Sequence, residues 1–431
     1  MRQVFTILVS LLFVSAVVSA QHDAHEHPQS AEAPHSEATH HEGGVHYETV
    51  GECQIPHEDP TVFNPGKVAF HHISDQNVYS IGPFQLPLPC ILYSEDGGLD
   101  VFLSSKFKPD AHGIGEAAYN RYVLYDGAVR RVKDPAFPMG LVELGHHRVY
   151  GKDVPGENGK DKHVVFVCYD GKEWACDNKS TLDGGLLGGG KTSFTDFSLT
   201  KNVVSMFIIF FLMTWLFLKV ARMYKERDGQ APTGIQSFME TIFVFIQDEV
   251  AKPFLGPRWE QFLPFLMSLF FFILGLNLFG QIPFFGGSNV TGNLSVTFAL
   301  AVFAFVVTNI NGNAHYWKHI FNMPGIPGWV KIVVTPVEFM GLFIKPITLT
   351  LRLFGNILAG HMVIVIFVGL IFIFGKNGTE PATALGTSIG SILLTLFMMS
   401  IELLVAFIQA FVFTILTASY IGAATEEAHD H

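Results

Sequence analysis

From residue 203 onward the chain is written in apolar blocks long enough to cross about 30 Å of hydrocarbon: 203–221, 262–285, 294–310, 333–374 and 384–423. Five membrane spans are predicted. The last two are unusually long and are joined by Lys376-Asn377-Gly378-Thr379-Glu380-Pro381, a turn sequence that makes them a long, tilted antiparallel hairpin. Between the first two blocks Ile235, Phe238, Met239, Ile242, Phe243, Ile246 and Val250 recur at helical spacing, with Gln236, Glu240, Gln247 and Asp248 opposite, until Pro253 stops the run. That pattern predicts an amphipathic helix lying on the membrane surface, and it is equally compatible with a docking face for a partner subunit.

Upstream the rhythm is different. Short apolar runs at 67–70, 78–81, 90–93, 101–104, 122–125 and 163–169 are broken by Gly, Pro and Asp, which predicts a small β-rich domain over 49–183. Residues 21–48 lack an apolar period and scatter His22, His25, His27, His35, His40, His41 and His46 among Ala, Glu, Ser and Pro, a disordered tail. Metal buffering by these histidines is the weaker reading, and neither a defined metal site nor a cofactor is expected. Residues 1–20 read as a secretory signal: Arg2 leads a short apolar stretch that closes on Ser19-Ala20, too short to span. A short uncleaved anchor is the rival.

Composition sharpens this division. The chain is 49% hydrophobic and only 15% charged, against roughly 25% charged for a soluble domain. Residues 201–431 hold 12 basic and 12 acidic residues, so the whole net charge of −11 belongs to residues 1–200. An acidic front half excludes nucleic acid as the main partner, because phosphates demand clustered Lys and Arg. All four cysteines, Cys53, Cys90, Cys168 and Cys176, lie in the exported half and are candidates for disulfides, with the pairing open. No catalytic constellation is legible there. Gly185-Leu-Leu-Gly-Gly-Gly190-Lys191-Thr192 matches the phosphate-loop letters, but polar Asp177 to Asp183 precedes it and no helix follows, so 184–200 is read as a linker.

Lys and Arg set the orientation. Arg222, Lys225, Arg227, Lys252 and Arg258 follow the first span, none separates the second and third, Lys318 and Lys331 follow the third, and only Lys376 follows the fourth. The positive-inside rule puts the N-terminus outside and the tail 424–431 in the cytoplasm, as the signal also requires.

Polar residues interrupt the last two spans, and Arg352, His361, Glu402 and Gln409 stand out among them. Arg352 sits in an apolar stretch where a lone Arg costs roughly 2.5–3.5 kcal/mol. His361 lies on the same helix, and Glu402 and Gln409 on the last one. In an antiparallel hairpin, residues at equal depth share one index sum; Arg352 with Gln409 gives 761 and His361 with Glu402 gives 763, so each pair is expected to meet. Asn356, one turn on, shares the Arg352 face, while His361 lies about 180° away. Gly355 and Gly360 are expected to permit close helix approach. A snorkelling or purely structural Arg352 is the bland alternative.

At these residues the sequence resembles subunit a of the rotary F-type ATP synthase. Ile344-Lys-Pro-Ile-Thr-Leu-Thr-Leu-Arg352-Leu-Phe-Gly-Asn356-Ile-Leu-Ala-Gly360-His361 resembles that family's signature, and Glu402-Leu-Leu-Val-Ala-Phe-Ile-Gln409 its final helix. Thr291-Gly-Asn293-Leu-Ser-Val-Thr297 resembles the start of its third span. The resemblance covers about residues 195–423. It implies a non-catalytic, proton-translocating subunit of a bacterial inner membrane. Its partners would be the rotor ring of subunit c, the peripheral stalk subunit b, the catalytic head and lipid. Arg352 would be the arginine facing the ring, Asn356 and Gln409 its polar neighbours, and His361 with Glu402 the lining of the outer half-channel. Two departures stand out. Some members carry the acid and the imidazole exchanged between the positions of His361 and Glu402, so the pair is required as a pair. Others carry Asp at the position of Asn293, whose amide does not titrate near neutral pH, which makes Asn293 the weaker candidate. Two rival functions remain at this level: a membrane anchor displaying the acidic domain, and a self-contained channel or transporter.

Overall fold

The computed structural model describes residues 46–57, 74–81, 84–110, 113–155, 161–180, 192–282, 288–322, 327–376 and 379–426. The signal segment, nearly all of the His-rich tail, the run at 67–70 and the phosphate-loop letters up to Lys191 lie outside the described residues. The described chain has a β-rich N-terminal region and a helical region of membrane type.

Fourteen short strands make up the first region, all paired antiparallel: β1 His46–Val50, β2 Cys53–His57, β3 Val78–Ile81, β4 Phe84–Pro87, β5 Pro89–Ser94, β6 Gly98–Leu103, β7 Ala117–Tyr119, β8 Tyr122–Tyr125, β9 Ala128–Arg131, β10 Leu141–Glu143, β11 Val149–Pro155, β12 Asp161–Tyr169, β13 Lys172–Ala175 and β14 Phe194–Asp196. Strand β8 is central, and its sequence says why. Side chains alternate faces along a strand, and here Tyr122 and Leu124 enter one apolar core while Val123 enters another. A strand buried on both faces loses the polar alternation of a surface strand. It turns into β9 through Asp126-Gly127, both at positive φ, the residue pair a tight hairpin favours.

Three expectations need correction. Residues 46–48, read as tail, are the start of β1. Residues 192–200, read as linker, are fixed: β14 pairs with β5, and Phe197 and Leu199 donate to the carbonyls of Ile91 and Pro89. Among the cysteines Cys53 and Cys168 are bonded, while Cys90 and Cys176 are free and buried, and burial pushes both thiols up to about 12.

The bond between Cys53 and Cys168 closes a loop spanning 115 residues, and such a closure is worth about 2–5 kcal/mol. Cys53→Ser should therefore lower the unfolding temperature of the β-rich region, read by Trp174 quenching, to that of the reduced parent. A second tie is electrostatic. Asp96 takes a hydrogen bond from Arg121 (2.8 Å) and another from Arg131, both arginines being buried. Partial burial pushes its carboxyl up, but the bonds and charge of Arg131 and Arg121 outweigh this and hold it at about 2. A depressed folded-state pKa contributes stability above the ordinary carboxylate range, lost as pH falls through about 2. Asp96→Asn should flatten the acid limb of stability below about pH 4 and leave neutral pH comparisons to report only the lost hydrogen bonds.

The helical region comprises α1 Lys201–Glu226, α2 Ile235–Ile246, α3 Trp259–Gly280, α4 Leu294–Ile310, α5 Ala314–Phe321, α6 Gly328–Phe374 and α7 Pro381–Thr425. Helix α3 is the hub. It is apolar all round, as a helix covered on every side must be; 89% of the most apolar window of 235–280 is buried, against 17% for α6 and for α7. Helix α3 packs against α1 and α7, and α4 against α6 and α7. The outer faces of the long hairpin therefore present uncovered apolar surface. The third apolar block ends in a 106° bend between α4 and α5, and the second ends at Gly280 rather than 285.

The apolar stripe of helix α2 divides. Gln236, Ile246 and Val250 are buried, while Ile235, Phe238 and Phe243 are exposed. Pro253 does not stop the run: a π turn Gln247–Ala251 leads directly into Lys252–Leu255, which holds Pro253 in its first turn. Gly256, at φ +53°, ends it.

Candidate functional site

The hairpin of α6 and α7 brings two of the predicted residues into contact. His361 Nδ1 hydrogen-bonds Glu402 Oε1, and both side chains are buried. The other ring nitrogen, Nε2, lies 3.3 Å from the Gly280 carbonyl at the end of α3. Both nitrogens thus face acceptors. A ring proton on Nδ1 would point at the carboxylate and one on Nε2 at the Gly280 carbonyl. A lone buried carboxylate would be costly, whereas a paired one is tolerated.

Gly360 makes this approach possible. A Cβ there would stand 3.2 Å from Glu402 Oε1 and 3.3 Å from its Cδ, so a side chain would push the carboxylate away. Gly355 is different: a Cβ would meet nothing within 4 Å, so it does not serve packing within this chain. It lies on one face of α6 with Arg352 and Asn356, both exposed, beside exposed Thr348 and Leu351.

Arg352 makes no hydrogen bond or ion pair among the described residues. The expected contact with Gln409 is absent, because Gln409 is buried on the inner side of α7 while Arg352 points out. Carrying the register of His361 and Glu402 along the hairpin sets Arg352 opposite Phe411, two residues past Gln409. An unpaired guanidinium on an apolar face is a group awaiting an anion.

On the other side of Arg352 lies a second polar cluster. Lys345, two turns before Arg352, holds Nζ 5.2 Å from the centre of the Tyr420 ring, and Tyr420 is within electrostatic reach of Arg352. Lys345 and Tyr420 line a small pocket with Thr308, Asn309 and Tyr316, whose hydroxyl donates to Asn309 Oδ1 at 3.2 Å. Along α6, at about 1.5 Å per residue, Arg352 stands roughly 10 Å from Lys345 and roughly 14 Å from His361. It divides two polar clusters.

Asn293 proves to be a helix cap. Its Oδ1 accepts from Ser295 N at 3.0 Å at the start of α4, one of the orphan donors a helix N-terminus leaves. Its Nδ2 is buried without a partner. Sequence reasoning missed Asn277, which donates to the Ala406 carbonyl at 3.1 Å across α3 and α7; a lone Asn between leucines in an apolar run was a visible signal. The Gly280 carbonyl had none, since a backbone acceptor leaves no mark in composition. The pocket around Tyr316 was equally hidden, because its members come from four helices.

Comparison with known proteins fits this geometry. The family model described as ATP synthase A chain matches residues 203–422, and one for a domain of unknown function matches 68–164. ATP synthase subunit a of Chloroherpeton thalassium is 40% identical over 248 residues, covering 55% of this chain and 71% of that protein. The subunit a of Anaeromyxobacter dehalogenans is 38% identical over 338 residues, 75% of this chain and 82% of its own, a span that must run well into the β-rich region. For Myxococcus xanthus the figures are 36% over 268 residues, 60% and 84%.

Proposed function

The chain belongs to the ATP synthase A chain family, and from that premise we propose that it is the stationary proton-channel subunit of the membrane sector, with Arg352 separating two half-channels. The observation that carries this reading is the exposed, unpaired Arg352 set between the buried pair of His361 and Glu402 and the pocket of Lys345 and Tyr420. In this reading the chain has five spans with the N-terminus outside, a β-rich domain over about 49–183, a membrane domain over 201–423 and an α2 that lies at the cytoplasmic face. Helix α6, 47 residues and about 70 Å long, exceeds the roughly 30 Å of hydrocarbon more than twofold, so the hairpin lies steeply tilted along the rotor.

Protons arrive from outside at His361 and Glu402, pass to a carboxylate on the rotor ring, travel round with the ring through lipid, and leave by the pocket at Lys345 and Tyr420. Arg352 meets the carboxylate between the two. At an effective dielectric of 20, an opposite charge at about 4 Å is worth about 4 kcal/mol, about three pKa units at 1.36 kcal/mol each. That suffices to strip a lipid-facing acid of its proton and to bar it from passing Arg352 still protonated. Each charge gains about 2.3 kcal/mol per 100 mV, so the field drives rotation and the arginine rectifies it. The subunit itself makes and breaks no covalent bond of ATP. Asn356 and Gln409 flank the path, and the stalk and catalytic head hold the subunit still while the ring turns.

Purifying the tagged chain in mild detergent tests this directly. A proteolipid ring and an ATPase head should come with it. A chain that purifies alone and conducts protons alone would be a self-contained channel, and one that purifies alone without conducting would be an anchor; either outcome overturns the proposal.

A further inference from the structure

The β-rich domain and the helical region meet at one seam. Lys201 N donates to the Gln76 carbonyl (2.8 Å), and Asn202 N donates to Asp75 Oδ1 (3.0 Å), so the start of α1 is held by the segment leading into β3. One turn on, the Ser205 hydroxyl is shared between the Lys201 carbonyl (2.9 Å) and the Tyr79 hydroxyl (3.3 Å), and it accepts from Ser288 Oγ at 2.7 Å. Tyr79, Ser205 and Ser288 are all buried. The backbone at Ser288 touches α3: a Cβ on Gly280 would stand 2.8 Å from the Ser288 carbonyl oxygen. Gly280 in turn faces His361 Nε2. Hydrogen bonds therefore run from the β-rich domain to Ser288, whose carbonyl packs against the Gly280 backbone beside the buried pair.

Along this line polar atoms are buried without a protein partner: Asn77 Nδ2 beside β3, both amide atoms of Asn202, Gln281 Nε2 next to Gly280, and Asn289 Nδ2 next to Ser288. An isolated buried polar atom left unsatisfied costs about 1–3 kcal/mol. Proteins rarely accept several in a row, and ordered water is the usual remedy. A dry packing seam would have used apolar residues at these positions, as α3 does on its other faces.

We propose that this seam is the outer mouth of the proton path: water held between the β-rich domain and α1 carries protons to His361, and Tyr79, Ser205 and Ser288 are its positioning residues. The domain is then a wall of the channel rather than a passenger on it. A proton added to the outermost water breaks an O–H bond on that water as one forms on the next, and the chain of hops ends with the proton on the pair of His361 and Glu402; nothing is oxidised and no other reactant is consumed. This inference rests on the reading of His361 and Glu402 as the outer half-channel.

The test uses the complete complex in vesicles whose outer face is accessible. Ser205→Cys and Ser288→Cys are treated from that face with a small, charged, membrane-impermeant methanethiosulfonate, with the parent chain as background for Cys90 and Cys176. Both thiols should react, and reaction should cut passive proton flux several-fold. Tyr79→Phe keeps the ring and removes the hydroxyl, and with Ser205→Ala it should slow flux several-fold while the complex still assembles. Thiols that stay unreactive, with flux unchanged in Tyr79→Phe and Ser205→Ala, would overturn the inference. Arg352→Ala is run in parallel to keep the two claims apart: if it uncouples pumping while the seam variants are silent, the mouth is elsewhere, and if it too is silent, the wider reading fails.

Discussion

Replacing Arg352 with alanine should abolish ATP-driven proton pumping while ATP hydrolysis by the attached head continues at some level and passive proton conduction persists or rises. The reason is the placement of the side chain. Among the described residues Arg352 forms no hydrogen bond or ion pair, and it is exposed on α6, so the alanine variant loses no such tie within the described hairpin. In the proposed mechanism it loses the charge that would force a passing carboxylate to ionise, about 4 kcal/mol, or about a thousandfold in the ionisation ratio. Without it a protonated carboxylate crosses from one half-channel to the other without a full turn, and rotation no longer follows proton flow. Arg352→Lys keeps the charge but not the planar fork, and should retain partial coupling.

The second large effect is expected at the buried pair. Glu402→Gln leaves an amide beside His361 that cannot share a proton, and a positioned acid or base of this kind commonly accounts for about a hundredfold in rate or more. Proton influx should fall by roughly that factor and depend more steeply on outer pH, because only the imidazole is left to titrate. His361→Ala should lower influx by a similar factor, with only the carboxyl of the pair remaining. Exchanging the two residues, His361→Glu with Glu402→His, keeps one acid and one imidazole in contact and should conduct better than either single variant. An unchanged influx in Glu402→Gln would place the pair off the path.

How far the sequence foretold this depends on the kind of signal. The apolar blocks and the index sum of 763 foresaw the contact of His361 with Glu402, because an antiparallel hairpin leaves one free parameter and its turn at 376–381 fixes it. The same arithmetic failed for Arg352 and Gln409, since equal depth says nothing of facing; Gln409 turns inward and Arg352 outward. Strands β3 and β8 were legible from their apolar runs. Strand β14 was not, since Phe194-Thr195-Asp196 is too short to show a period and becomes a strand only through its pairing with β5. The stripe of α2 divides: Met239, Ile242, Ile246 and Val250 pack onto the helical core, while Ile235, Phe238 and Phe243 stay exposed, as a face meant for lipid or a partner would be. The seam at Tyr79, Ser205 and Ser288 joins residues more than 80 positions apart in sequence, and no local pattern could bring them together.

The central claim is that Arg352 couples proton flow to rotation without itself being the path. The most direct test measures ATP-driven pumping and passive proton conduction in the same vesicles carrying the Arg352→Ala complex, with the bound ATPase head quantified to establish assembly. Pumping should be lost, and conduction should equal or exceed that of the parent. Pumping that survives with parental coupling, or conduction that disappears in a fully assembled complex, would contradict it.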